Sequence, residues 1–195
     1  MTDPPPTSDA AVIDASHERP EVFAALYDRH AAEIHRYAAR RLGEGVAEDI
    51  TADTFLAAFR HRRRFDTGRS SARPWLYGIA ANLIGRHRRS EVRGLRALAR
   101  TGVDPVAETW SDRVDARVTA QAARAPLAEA LADLSARDRH VLLLVAWADL
   151  TYVEVAEALD IPVGTVRSRL NRARTKLRTA LGANPMGAGD PAEVA

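Results

Sequence analysis

Arg167, Arg169, Arg172, Arg174, Lys176 and Arg178 crowd one predicted helix that carries no acid. Fixed positive charge at that density suits the phosphates of a nucleic acid. Thr165, Arg167, Ser168 and Arg169, in the first half of the helix, are placed to meet base edges in a major groove. Arg172, Arg174 and Lys176 are placed to meet phosphates. Val166, Leu170, Ala173 and Leu177 recur at i, i+4, i+7 and i+11 and give the helix a single apolar stripe. Basic amphipathic helices also serve as plain surface helices or lie on membranes. This stripe is aliphatic, with no Trp or Phe to anchor in a headgroup layer, which favours the nucleic-acid reading.

The element that must aim this helix precedes it. Thr151 and Glu154 have the spacing of a capping box, with Leu150 and Val155 as the apolar staple around it. The helix they start is predicted to run to Leu159. Asp160 tolerates a left-handed turn, and Pro162 disfavours helix at Ile161 while being able to open the next helix. Residues 151–178 therefore describe a helix-turn-helix whose second helix enters the major groove.

Two further regions carry candidate chemistry. The polar loop from Gly68 to Arg73, with Arg69, Ser70 and Ser71, leads into a helix bearing Trp75, Tyr77, Asn82 and Arg86. Cations, an amide and ring faces together suit unpaired bases. Trp75 is read as a core residue, and the loop and Asn82 as the base contacts. Upstream, Glu44, Glu48, Asp49 and Asp53 are separated only by neutral residues, and the run RHRRR at 60–64 follows. An acidic face beside basic ones points to a basic protein partner as well as a nucleic acid.

Composition sets the outer bounds. The chain has 195 residues, 46% of them hydrophobic, a net charge of +2 and no Cys. Cores can form, while disulfides and thiolate metal sites are excluded. No apolar run reaches the roughly 20 residues of a membrane span. The start, MTDPPPTSDA, has none of the pattern of a signal peptide, so a soluble cytoplasmic protein is expected. No His, Asp or Glu cluster has metal spacing and no Gly-rich phosphate loop is present. No metal, cofactor or catalytic residue is predicted. His61, His87 and His140 lack recognisable partners and are expected to be solvated; His30 lies on an apolar face, where packing or a hydrogen bond accounts for it.

The periodicity predicts an all-α protein of two small domains. Residues 1–19 read as a disordered tail. Residues 20–91 form a helical bundle, with Phe23, Leu26, Tyr27, Ile34 and Tyr37 on one face of the first helix. Ile50, Thr54, Phe55, Leu56 and Ala58 face inward from the second, and Leu76, Ile79 and Leu83 from the third. Residues 92–125, broken by Gly94, Gly102 and Pro105, read as a flexible linker with a marginal helix at 112–123. Residues 126–182 form the helix-turn-helix domain, with a helix capped by Ser135, and 183–195 a disordered tail.

Three segments, in order, carry a family resemblance. AEDITADTFLAAFR (47–60), RPWLYGIAANLIGRHRR (73–89) and LTYVEVAEALDIPVGTVRSRLNRARTKLR (150–178) are similar to the core-binding, −10-reading and −35-reading segments of the extracytoplasmic-function sigma factors. These are compact members of the sigma-70 family of bacterial transcription initiation factors. The resemblance implies that Asp49, Asp53 and Phe55 dock on the coiled coil of the largest subunit of core RNA polymerase. It implies that Arg69, Ser70, Ser71, Arg73, Asn82 and Arg86 hold the non-template strand of promoter DNA. Thr165, Arg167, Ser168, Arg169, Arg172 and Arg174 would bind the −35 duplex. An anti-sigma factor is a further partner that the resemblance suggests. Gly78 and Gly85 depart from the family pattern and predict a softer −10 helix, at up to about 1 kcal/mol each. The alternative reading is a stand-alone helix-turn-helix regulator whose N-terminal domain dimerises.

Overall fold

The computed structural model describes residues 8–69, 71–101 and 125–182, and among these the regular structure is entirely helical. Helix α1 spans Asp9–Ala15, α2 Ala24–Leu42, α3 Glu44–His61, α4 Arg73–Arg86 and α5 Arg88–Thr101. Residues 125–133 form α6. Helices α7 (Ala136–Ala148), α8 (Tyr152–Leu159) and α9 (Val163–Ala180) complete the chain order.

Helices α2, α3 and α4 pack into the first lobe. Gly43, at φ 86°, separates α2 from α3 in a conformation that disfavours any side chain. Rings stitch the bundle together: Tyr37 meets Tyr77 edge-on at 5.2 Å, and Phe23 meets Phe59 at 5.3 Å. Thr51 and Thr54 are buried on the inner face of α3, each hydroxyl donating to the carbonyl four residues earlier.

Helix α1 corrects the expectation of a disordered tail through residue 19. Ser8 caps it by accepting from the Ala11 amide at 3.2 Å, and Val12 and Ile13 are wholly buried against the bundle. Seven residues with only two large apolar side chains give too little periodicity to read in isolation. Helix α5 corrects the linker boundary: the chain stays helical through Gly94 to Thr101. Glu91 on its inner face meets two buried cations and Leu95 packs against the core, so tertiary contacts hold the helix through a glycine that costs propensity. The rest of the expected linker, with its marginal helix, lies outside the described residues, as do 1–7 and 183–195.

In the second lobe α7 and α9 pack around Val141, Leu144, Val155, Val166 and Leu170. Ser135 caps α7, accepting from the Asp138 amide at 3.1 Å. Asp149 (φ 50°) and Asp160 (φ 50°) hold the left-handed turns that end α7 and α8. Asp149 thus supplies with an acid the backbone conformation that glycine commonly provides.

The lobes are not separate. Helix α4 lies against α8, and at the crossing a Cβ on Gly78 would sit 2.1 Å from the Ala158 carbonyl oxygen. The glycine is therefore a packing device, and the expected softness of α4 is not its consequence. Gly85 differs: a Cβ there would meet His140 at an ordinary 3.6 Å. Beside the crossing, Glu91 of α5 takes Arg41 of α2 at 2.5 Å and Arg139 of α7 at 3.3 Å, all three buried. Arg139 also donates to the carbonyls of Leu131 and Ala132 at the end of α6.

Candidate nucleic-acid interface

The helix-turn-helix is built as its caps dictate. Thr151 Oγ1 accepts from the Glu154 amide at 3.3 Å, and Glu154 Oε2 accepts from the Thr151 amide at 2.8 Å. Leu150 and Val155 are buried beside this box, fixing the entry angle of α8. On α9, Val166, Leu170 and Ala173 are buried, so the cationic residues between them are turned outward. Arg167 and Ser168 are exposed, while Thr165, Arg169 and Arg174 are half-buried. Ser168 Oγ donates to the Thr165 carbonyl at 3.0 Å, a local bond that water or a base can replace. Arg172 differs from its neighbours: it donates to Asp138 at 3.1 Å and ties α9 to the start of α7. It braces the recognition helix as well as adding charge to it.

The loop into α4 is arranged otherwise. Arg69 pairs with Glu157 of α8 at 3.2 Å and with Asp66 at 3.5 Å. Arg73 donates from Nε to Glu33 at 2.8 Å and from Nη2 to the Ala148 carbonyl, with its guanidinium over the Tyr77 ring. Ser71 accepts from the Arg73 amide at 3.2 Å; Ser70 lies outside the described residues. Asn82 and Arg86, farther along α4, are exposed. Trp75 packs against Phe65 at 5.2 Å, as expected of a core residue. Tyr77 is buried, and burial beside Glu33 pushes its hydroxyl well above the usual range.

A chain of charge runs behind this loop. His30 Nδ1 lies 2.7 Å from Glu33 and Nε2 lies 2.9 Å from Asp9. Two carboxylates can accept but not donate, so the ring holds both bonds only as the imidazolium. Burial opposes that charge, yet the Glu33 bond and the Asp9 charge hold the His30 pKa above its usual value. Asp9 is held low in turn, its burial outweighed by the Ala72 amide and His30. The expectation that a hydrogen bond accounts for His30 is met.

His140 is not solvated as predicted. It faces the seam between lobes, and burial, with Arg41 and Arg139 near, pushes its pKa down to about 3. Its Nε2 finds no hydrogen-bond partner among the described residues. His61 and His87 are exposed.

The acidic face of α3 carries Glu48, Asp49 and Asp53, all exposed. Phe55 does not join them: it is 6% exposed, because the stripe through Thr51, Thr54 and Ala58 turns it inward. Its ring instead supports Tyr27 edge-on at 4.9 Å. Two large apolar side chains that periodicity assigns to the interior are exposed instead: Leu56 on α3, 45% exposed, and Tyr27 of α2, 48% exposed, which rests on Phe55. The spacing of Asp49, Asp53 and Leu56 at i, i+4 and i+7 was the available signal.

Among the described residues no group of His, Asp or Glu has the geometry of a metal site, and no helix is long and apolar enough to cross a membrane.

Known proteins share this arrangement. The family model of sigma-70 region 2 matches residues 26–94 and that of sigma-70 region 4 matches 124–177. The ECF RNA polymerase sigma factor SigL of Mycobacterium tuberculosis is 35% identical over 173 residues, 88% of this chain and 96% of that protein. SigC of the same species is 33% identical over 86% of this chain and 88% of its own length. The solved structure of CnrH in complex with the cytosolic domain of CnrY aligns with a TM-score of 0.58 at 26% identity, covering 90% of this chain and 98% of that one. RpoE of Bartonella quintana, solved with the anti-sigma factor NepR, shares the fold at a TM-score of 0.57 and 22% identity, over 83% and 98% of the two chains. The first lobe thus matches a sigma-70 region as the second does, and the stand-alone regulator is not favoured. With both lobes matched in order and a relative aligned almost end to end, the chain belongs to the extracytoplasmic-function sigma factors of the sigma-70 family and is a transcription initiation factor.

Proposed function

We propose that three surfaces of the chain divide the work of initiation. The acidic face of α3, with Asp49 and Asp53 bordered by Leu56 and Tyr27, docks on the coiled coil of the largest subunit of core RNA polymerase. Helix α9 reads the −35 duplex, with Thr165, Arg167, Ser168 and Arg169 toward bases and Arg172 and Arg174 toward phosphates. The loop Arg69–Arg73 with Asn82 and Arg86 captures unpaired −10 bases on the non-template strand and stabilises the melted promoter by binding it. No bond is made or broken by the chain itself, no cofactor takes part, and the work is done in the cytoplasm. Residues 20–91 and 126–182 act as the two functional units.

The observation that carries this reading is the contrast in chemistry between separate surfaces: exposed cations on α9, an amide and cation on α4, and exposed acids on α3. Because Arg69 and Arg73 are engaged by the second lobe, the lobes must part on the polymerase before both cations reach a strand. An inhibitory protein of the anti-sigma kind is a further partner; the neighbour CnrH was solved with a protein bound to it.

The test is run-off transcription from a genomic fragment library with purified core polymerase. Specific starts are expected only when both proteins are present. Asp49→Lys with Asp53→Lys is expected to abolish pull-down of the polymerase. Undiminished pull-down would refute the docking face, and operator binding at paired half-sites without polymerase would refute the whole reading.

A further inference from the structure

We propose that Asp9, on a helix upstream of the part of the chain that matches sigma-70 region 2, is a positioning residue for the strand-capturing loop. The proposal rests on the reading of residues 69–73 given above. Asp9 is 7% exposed and reaches across the first lobe to a loop 63 residues away in the chain. Its Oδ2 accepts from the Ala72 amide at 2.9 Å and from His30 Nε2 at 2.9 Å, and its Oδ1 accepts from Arg29 at 3.2 Å. Ala72 is wholly buried and is the N-cap residue of α4. The N–H of an N-cap residue has no acceptor within its own helix, and here the carboxylate of another helix accepts it, as the third residue of a capping box does elsewhere, at an end where negative charge is favoured by the helix dipole.

The same carboxylate controls the next residue. Asp9 holds His30, His30 holds Glu33, and Glu33 Oε2 accepts from Arg73 Nε. Backbone at 72 and side chain at 73 are thus both referred to one anion. Helix α1 has the anchorage to bear this: Val12 and Ile13 are wholly buried, as is Ser16, which donates to the Ile13 carbonyl at 2.6 Å. A loop held at its last two residues presents Arg73 in one place, and a fixed donor discriminates among bases where a wandering one supplies only charge.

The experiment uses the full chain with core polymerase and promoters that carry each base, or an abasic site, at successive non-template −10 positions. The readout is the ratio of open complexes on preferred and changed bases. A merely structural defect lowers all templates alike and leaves that ratio alone. A well-held base contact gives a preference of roughly fivefold to a hundredfold. Asp9→Ala is expected to shrink it at least about threefold, with −35 duplex binding and polymerase pull-down intact. Asp9→Asn, which keeps an oxygen for the Ala72 amide, is expected to restore much of the preference. Should Asp9→Ala fail to fold, Asp9→Glu keeps the charge but misplaces it by a methylene, and a reduced ratio is again expected. An unchanged ratio in the folded Asp9 variants, with a collapse in Arg73→Ala, overturns the inference and spares the loop's assignment. An unchanged ratio in Arg73→Ala and Asn82→Ala as well removes the loop reading itself.

Discussion

The two regions assigned to DNA differ in how ready they are. On α9 the residues proposed to face bases, Thr165, Arg167, Ser168 and Arg169, make no ion pair among the described residues, and the helix is aimed by caps within its own lobe. In the loop before α4, Arg69 and Arg73 are already paired, and each pairing includes a group from the other lobe. Of the two proposed readers, one is complete as folded and the other is assembled but occupied. The difference matches what each would bind. A duplex is present before initiation starts, whereas an unpaired strand exists only after the polymerase has begun to open it.

The largest expected effect comes from Gly78→Leu. A Cβ there would overlap backbone at 2.1 Å, which no rotamer change in Ala158 relieves. The lobes are expected to separate, read as a larger radius of gyration in small-angle scattering, with the helical content of each lobe retained. Single-strand binding by the isolated protein should then rise; an unchanged radius would show that the seam tolerates the side chain. Next, Arg169→Ala should cost about 1–3 kcal/mol at a preferred −35 element and little elsewhere. Equal loss on every sequence in a binding assay would make it a phosphate contact. Thr151→Ala, which removes the cap that aims the ready reader, should cost about 1 kcal/mol of stability in denaturant unfolding.

The smallest effect concerns the occupied reader and depends on pH. His30 on α2 is faced by Asp9 of α1, Glu33 and Arg29 of its own helix, and Arg73 of α4 beyond Glu33. Its folded pKa is raised, so its contribution is fully present below the unfolded value of about 6.5 and is lost as pH rises through the folded value. Thermal stability of the native chain should therefore fall across that window relative to His30→Gln, which cannot hold both carboxylates as a cation. Parallel pH profiles for the two proteins would remove the charged ring from the account.

Much of this was legible beforehand, and what was not has local reasons. The helix-turn-helix could be read because its caps and stripe lie within 28 consecutive residues (151–178) and obey rules of local geometry. The acidic face of α3 was legible from charge alone. Its apolar members were not: Tyr27, Phe55 and Leu56 are all large and apolar, and only the packed bundle decides that Phe55 turns in while the other two turn out. Gly78 read as a weakness of its own helix, since its reason is a carbonyl 80 residues later. Helix α1 and His140 escaped for the same cause, their partners being remote in the chain.

The seam also holds an arithmetic imbalance. Arg41 and Arg139 share the single carboxylate of Glu91, and Arg139 Nη2 is left without a hydrogen-bond partner among the described residues. Burial draws the Arg139 guanidinium below its ordinary range in spite of Glu91. Buried ions in such a minority arrangement recover little of their lost hydration, and apolar replacements of like volume often bind more firmly. A joint designed for permanence would have been oily. This one leaves Arg139 Nη2 dry and unpartnered among the described residues, so water reaching that nitrogen would offset part of what is lost when the seam opens.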